Sequence, residues 1–363
     1  MSDSSLRIVI ACGGTGGHLF PGIAVAQQLK AMGHRPLLLI SRKDVDADGA
    51  RKYGDLEFRT VPAIAKPPLL SLRMPGFLWR FTHTLLACRR FFHHEKVDAV
   101  LGMGGFTSLA PVLAGRMQGL RTYVHESNAM PGRANRLTAR FCTAVLLGLE
   151  EAAGRFPGRN CRVVGTPVRE EFLHCPEREA ARAALGLPVD DKPLVLVTGG
   201  SQGAQKLNTL MVEAAKATPH VHFLIIAGRA DYERVRDLAG DAPNLTVMGF
   251  CADMPAAYSA ADGVITRSGA STLTELSVMG RAALLVPYPF AADNHQYFNA
   301  RVFADAGAAR LCEQKDLSLA VIQNFITHII LAPTARTAME AALQAQARLN
   351  AAEDIARVAA QAS

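Results

Sequence analysis

Four glycines and a histidine, in the stretch GGTGGHLFPG at residues 13–22, follow directly on a short apolar run, RIVIAC. Glycines let backbone N–H groups approach an anion or a hydroxyl-rich ligand, because no side chain stands in the way. A histidine beside them can take a proton from a hydroxyl near neutral pH. The same stretch also suits a tight turn braced by its histidine, so two roles for His18 stand open, general base and loop brace. Further glycine turns lie at 102–105 and 199–203, each after an apolar run. In RSGASTLTE, Thr272 stands three residues before Glu275. That is the spacing of a capping box, yet a carboxylate there equally suits the two vicinal hydroxyls of a ribose. DVDAD at 44–48 has the D-x-D spacing that holds a divalent metal in some sugar-nucleotide enzymes. Here it lies among Arg42, Lys43, Arg51 and Lys52, which favours local salt pairing.

The first loop fits neither familiar phosphate fingerprint. Counting G-x-G-x-x-G from Gly14 ends on Leu19, and the Walker spacing from Gly17 to Gly22 is followed by Ile23 where lysine is needed. The second apolar run ends in Ser41, Arg42 and Lys43, not in the acid of an NAD site; Arg42 leaves an NADP-dependent reductase as an alternative.

The elements that must carry these residues are short apolar runs without alternation, separated by helical stretches. They predict strands at 6–12, 34–41, 97–106, 121–132, 144–148 and 161–168, with a helix at 21–32 whose start at Pro21 adds a positive dipole end. Such runs signal an α/β fold with a parallel sheet covered on both faces. At KPLVLVTGGSQGAQKLNTLMVEAAK, residues 192–216, the strand–turn–helix pattern restarts. The chain therefore reads as two Rossmann-like doubly wound domains, 1–167 and 168–342, with a helical tail, about 343–363, placed to pack back on the first.

With 363 residues, 49% hydrophobic and 20% charged, the chain belongs to the globular class. Its start reads as a strand and not as a signal peptide, and no apolar run reaches the roughly 18 residues of a membrane span. Seven scattered cysteines without a CxxC pair suit reduced thiols. A net charge of +7 suits an anionic partner. Part of it lies in residues 66–96, where Leu78, Trp79, Arg80, Phe81, Arg89 and Arg90 form a basic, aromatic-rich stretch suited to an anionic lipid surface. A core helix with solvated arginines is the competing reading. No zinc-finger, RNP or KH signature supports nucleic acid, and no nucleic-acid partner is expected.

Taken together, GGTGGHLFPG, GMGGFTSLAP, HESNAMPGR, GTPVRE, TGGSQGAQKLN, RSGASTLTE and HQYFNA resemble the MurG family of peptidoglycan N-acetylglucosaminyltransferases, in unbroken order over about residues 7–305. The resemblance implies a GT-B fold, two Rossmann-like domains facing across a cleft. It implies an inverting, metal-independent transfer of GlcNAc from UDP-GlcNAc to lipid I, giving lipid II. By position it places Arg169, Ser201, Gln202, Cys251, Ala270, Ser271, Thr272, Leu273, Thr274, Glu275, Gln296 and Asn299 at the donor, mainly on the second domain, with Glu275 on the ribose. Thr15, Gly16, Gly17 and Asn128 fall near the GlcNAc and the acceptor. Gly14, Gly104 and Gly105 are left for the acceptor diphosphate, and His18 matches the histidine favoured as general base. No cofactor and no metal site are expected, UDP-GlcNAc being a substrate. The expected location is peripheral, on the cytoplasmic face of the inner membrane, with cell-wall or division proteins as further partners. Two departures stand out: Phe106 replaces a frequent tyrosine, and PYPFAADNHQYFN is one residue longer than the family pattern. A non-hydrolysing UDP-GlcNAc 2-epimerase on the same fold and a non-catalytic membrane-surface adaptor are the alternatives.

Overall fold

The apolar runs become strands buried on both faces. In β1 (Arg7–Ala11), Ile8 and Ile10 enter one core with Leu19, Ile23 and Leu101, while Val9 and Ala11 enter a second with Leu37, Leu39 and Val112. Successive side chains of a strand point to opposite faces, so a strand covered on both sides needs apolar residues throughout. Each fully buried Ile or Leu contributes about 1.5–3 kcal/mol. The computed structural model describes residues 5–13, 16–41, 53–61, 74–199 and 204–361. The chain divides into two compact units, Met1–Arg169 with Arg348–Ser363, and Glu170–Ala347.

The first unit continues with β2 (Arg35–Ile40), β3 (Glu57–Thr60), β4 (Ala99–Gly102), β5 (Arg121–Glu126), β6 (Ala144–Leu147) and β7 (Cys161–Val163). All pairings are parallel, in the order β3-β2-β1-β4-β5-β6-β7. Arg7, buried at the start of β1, donates to both carboxylate oxygens of Glu57 at 2.7 Å and to Glu95 at 3.2 Å, and so ties three segments at one sheet edge. Ile355, Ala356 and Ala359 of the Ala351–Ala360 helix complete the core on one face.

The second unit holds β8 (Leu194–Thr198), β9 (His222–Ile226), β10 (Leu245–Met248), β11 (Gly263–Thr266), β12 (Ala283–Leu285) and β13 (Arg310–Leu311), also all parallel, in the order β10-β9-β8-β11-β12-β13. In both sheets the chain winds outward from a central strand and then returns to its other side. The switch points lie between β1 and β4, and between β8 and β11. Ligands of open parallel sheets bind outside the carboxyl ends of strands at such points.

Two local expectations need correction. The first helix starts at Gly16, not at Pro21, and runs to Ala31. Pro21 lies inside it, where its missing N–H forgoes one bond to the carbonyl of Gly17 while its fixed φ remains helical. Gly16, Gly17 and His18 therefore form the first turn. Gly22 lets this helix approach β1, since a Cβ there would lie 2.5 Å from that of Cys12. The second correction concerns Thr272. The Ala270–Met279 helix has Gly269 as its N-cap, without a side-chain cap bond. Thr272 is already inside the first turn, so no capping box forms and Glu275 has no capping role.

Candidate functional site

At the first switch point, the turns after β1 and β4 meet. The Thr107 hydroxyl donates to the Gly13 carbonyl at 2.8 Å, and the Gly104 N–H donates to Ser108 Oγ at 3.2 Å. Gly104 and Gly105 have φ values of +116° and +74°, the region glycine adopts without strain. Their bare Cα atoms also make room for His18. A Cβ on Gly104 would lie 2.9 Å from His18 Nε2, and one on Gly105 would lie 3.3 Å from its Cε1. The histidine from the first turn thus rests on the second. Gly105 is the N-cap of the Phe106–Arg116 helix and offers no side-chain cap. Two helix N-termini therefore open on this edge, an arrangement that favours a negative or hydroxyl-rich ligand. Phe106 is half-buried at the start of the second helix.

Beside His18 lies a buried polar cluster from the end of β5. His125 Nε2 is 2.8 Å from the Gly165 carbonyl, and its Nδ1 is 3.3 Å from Ser127 Oγ. A neutral ring that donates to Gly165 and accepts from Ser127 satisfies both contacts. Burial, aided by the nearby His18 charge, pushes its pKa down to about 4. Glu126, 2% exposed, accepts from the Asn128 N–H at 2.9 Å, Asn128 Nδ2 at 2.8 Å, the Gly132 N–H at 3.0 Å and Asn135 Nδ2 at 2.9 Å. Burial raises its pKa, and the same donors oppose that shift. Asn135 was not among the site residues expected from sequence, and Glu126 stood there only as a candidate after His18. Their signal was a run of polar residues placed directly after an apolar strand.

Arg169, expected with the second domain, is the last residue of the first unit. Its guanidinium lies 5.1 Å from the Phe20 ring, so it sits by the first turn of the Gly16–Ala31 helix. In the second unit, two bonds tie the stretch after β11 to the Gln296–Asn299 segment, and a third ties that segment to the exit of β12. Ser268 Oγ donates to the Gln296 carbonyl at 2.8 Å, Asn299 Nδ2 donates to the Ser268 carbonyl at 3.1 Å, and the Tyr288 N–H donates to Gln296 Oε1 at 2.9 Å. Asn299 is fully buried behind Ser268, while Gln296 and Glu275 are half-buried. Ala270, Ser271, Thr272 and Thr274 are half-buried at the helix start, and the Leu273 side chain enters the core. Cys251 is buried, its thiol directed to the Asp253 carbonyl at 3.2 Å, and burial raises its pKa. Arg267 was not anticipated. It is 6% exposed and donates to the carbonyls of Val286 and Pro287 and to Gln314. It thereby pins the exit of β12, which carries Tyr288.

The basic aromatic stretch forms the Met74–His94 helix. Thr84, Cys88 and Phe92 make its buried stripe, and Cys88 and Phe92 pack with Val112 and Ala114 of the next helix. Leu78 is 54% and Trp79 69% exposed; Arg80 and Arg90 are exposed, and Phe81 and Arg89 half-buried. The core reading therefore holds for the C-terminal half of this helix, and the N-terminal half presents apolar side chains outward. No helix among the described residues is long and apolar enough to cross a membrane. Gly14, Thr15, Ser201 and Gln202, together with Arg42 and the D-x-D stretch, lie outside the described residues.

Two doubly wound parallel-sheet units, matched by two glycosyltransferase domain models, place the chain among the glycosyltransferases. The models of the glycosyltransferase family 28 N-terminal and C-terminal domains match residues 8–147 and 194–356. The UDP-N-acetylglucosamine–N-acetylmuramyl-(pentapeptide) pyrophosphoryl-undecaprenol N-acetylglucosamine transferase of Solidesulfovibrio magneticus is 35% identical, over 97% of this chain and 96% of that one; the Nostoc punctiforme enzyme of the same name is 34% identical over 99% and 98%. The chain belongs to this family, the MurG transferases. The crystal structure of MurG from Acinetobacter baumannii superposes with a TM-score of 0.77 at 29% identity, covering 98% of this chain and 99% of that one. A UDP-GlcNAc 2-epimerase from Neisseria meningitidis shares the fold alone, with a TM-score of 0.70 at 15% identity over 96% and 98% of the two chains.

Proposed function

We propose that this chain transfers GlcNAc from UDP-GlcNAc to lipid I, with inversion, in peptidoglycan synthesis. The observation that carries the site assignment is the His18 ring seated on the Gly104–Gly105 turn at the first switch point. A base held there meets an acceptor hydroxyl. As the acceptor oxygen bonds to the anomeric carbon, the bond from that carbon to UDP breaks on the opposite face. His18 takes the hydroxyl proton and UDP leaves with the electron pair. Arg169, Ser201, Gln202 and the start of the Ala270–Met279 helix stabilise the departing diphosphate, and Glu275 holds the ribose. Asn128 and the first-turn glycines bind the sugar and acceptor, and Gln296 and Asn299 frame the donor. No metal is required in this scheme.

The exposed Leu78 and Trp79, flanked by Arg80 and Arg90, suit peripheral contact with the anionic cytoplasmic face of the inner membrane, where the acceptor's lipid tail stays. Cell-wall or division proteins are the further partners of that location.

UDP release from UDP-GlcNAc, measured with and without a lipid I analogue, tests the activity. Release strictly dependent on acceptor is expected; acceptor-independent formation of UDP-ManNAc would favour the epimerase. His18→Ala should lower kcat by about 10²–10⁴-fold and leave UDP binding by calorimetry nearly intact. A variant retaining most of its kcat would reduce His18 to a loop brace.

A further inference from the structure

The geometry points to Glu126 as a positioning residue that holds the Asn128 and Asn135 amides and the Gly132 turn in place beside the sugar–acceptor site. The proposal rests on the transferase reading above. Four N–H donors converge on the Glu126 carboxylate, two on each oxygen: Asn128 N and Nδ2 on Oε1, Gly132 N and Asn135 Nδ2 on Oε2. An asparagine amide has a donor end and an acceptor end of nearly equal shape, and only its partners decide which way round it sits. An acceptor-only head commits the NH₂ end of both residues inward. Asn135 Nδ2 also donates to the His125 carbonyl at 3.1 Å, so both of its hydrogens are used. Its Oδ1 is buried and has no partner among the described residues. Asn135 Nδ2 borders Gly104 as His18 does, being 3.4 Å from where a Cβ on that glycine would stand. Gly132, the N-cap of the Arg133–Thr138 helix that carries Asn135, is held by the same carboxylate.

A buried carboxylate directly behind these two amides disfavours a diphosphate against them.

Glu126→Gln is the discriminating variant, because it keeps size and shape. Whichever way its amide sits, one end is a donor facing two donors. Combined with Asn128→Ala in a double-mutant cycle, E126Q should lower kcat by roughly 10- to 100-fold alone and by less on top of N128A, the remaining loss acting through Asn135. Glu126→Asp, which keeps the acceptor-only head on a shorter arm, runs in the same cycle and stays readable if E126Q fails to fold; its loss should be the smaller. Hydrogen exchange of the side-chain amides, in the full chain labelled with ¹⁵N-asparagine, gives a readout independent of activity. The Asn128 and Asn135 amides should be protected in the wild type and lose that protection in E126Q. Protection of both amides unchanged in E126Q would overturn the proposal. A wild type with no acceptor-dependent UDP release would overturn the transferase reading instead, and the exchange measurement would still decide the amide clamp.

Discussion

His18 and Gly104, far apart in sequence, are in direct apposition: a single methyl group on the glycine would come within 2.9 Å of the imidazole Nε2. The second glycine turn is thus the floor on which the histidine of the first turn is held. Gly104→Ala should displace the ring and add backbone strain of about 1–3 kcal/mol at a φ of +116°. Gly119→Ala is the control, since Gly119 has a φ of +75° and nothing within 4 Å of a new Cβ. Both variants should melt a few degrees lower, and only G104A should lose acceptor-dependent UDP release, by at least about tenfold. Equal activities in the two variants would separate His18 placement from catalysis.

Glu275 lies inside its helix and does not cap it. Glu275→Ala should therefore cost no stability through a lost cap, alanine being the best helix former. Removing a charge-assisted contact to the ribose should weaken the donor by about 1.5–3 kcal/mol, read as a raised KM for UDP-GlcNAc. A fall in melting temperature at constant KM would assign Glu275 to structure alone.

On the Met74–His94 helix, Leu78 and Trp79 are already exposed, so replacing both with Ser should spare folding and UDP affinity. Each side chain contributes up to about 1.5–3 kcal/mol if fully buried, and less at a membrane interface. Co-sedimentation with anionic vesicles should drop in the double variant. Undiminished partitioning would remove this helix from the membrane contact.

His125 is held neutral, its pKa pushed down to about 4 by burial. The unfolded chain takes up a proton at this position near pH 6.5, while the folded chain does not until about pH 4. Stability is therefore complete above about pH 6.5 and falls as the pH drops through that window, by about 3 kcal/mol from this group. His125→Gln keeps an N–H for the Gly165 carbonyl without the titration. Urea unfolding at about pH 7 and about pH 4.5 should show a steeper loss in the wild type than in the variant. Parallel losses would rule out His125 as the cause.

The central strands, the two parallel sheets and the glycine turns after β1 and β4 were legible in the sequence because each is locally encoded, whereas the edge strands β3 and β13, which are not apolar runs, were not. An apolar run without alternation is a strand covered on both faces, and glycines cluster where a backbone must turn tightly or be approached closely. His18 and Glu275 could likewise be singled out, but not assigned. For Glu275 the deciding fact was the position of a helix start, which a Thr-x-x-Glu spacing does not contain; the helix begins two residues before Thr272. The first helix likewise begins ahead of Pro21, because a proline tolerated inside a helix looks locally like one that opens it. What only the tertiary structure decided are the relations between segments remote in the chain. The His18 ring lies over Gly104, the Glu126 carboxylate gathers donors from the loop and helix beyond its strand, and Ile355 from the end of the chain fills the first core. None of these has a local signature, because each depends on where the winding of the sheet places two elements that the sequence holds apart.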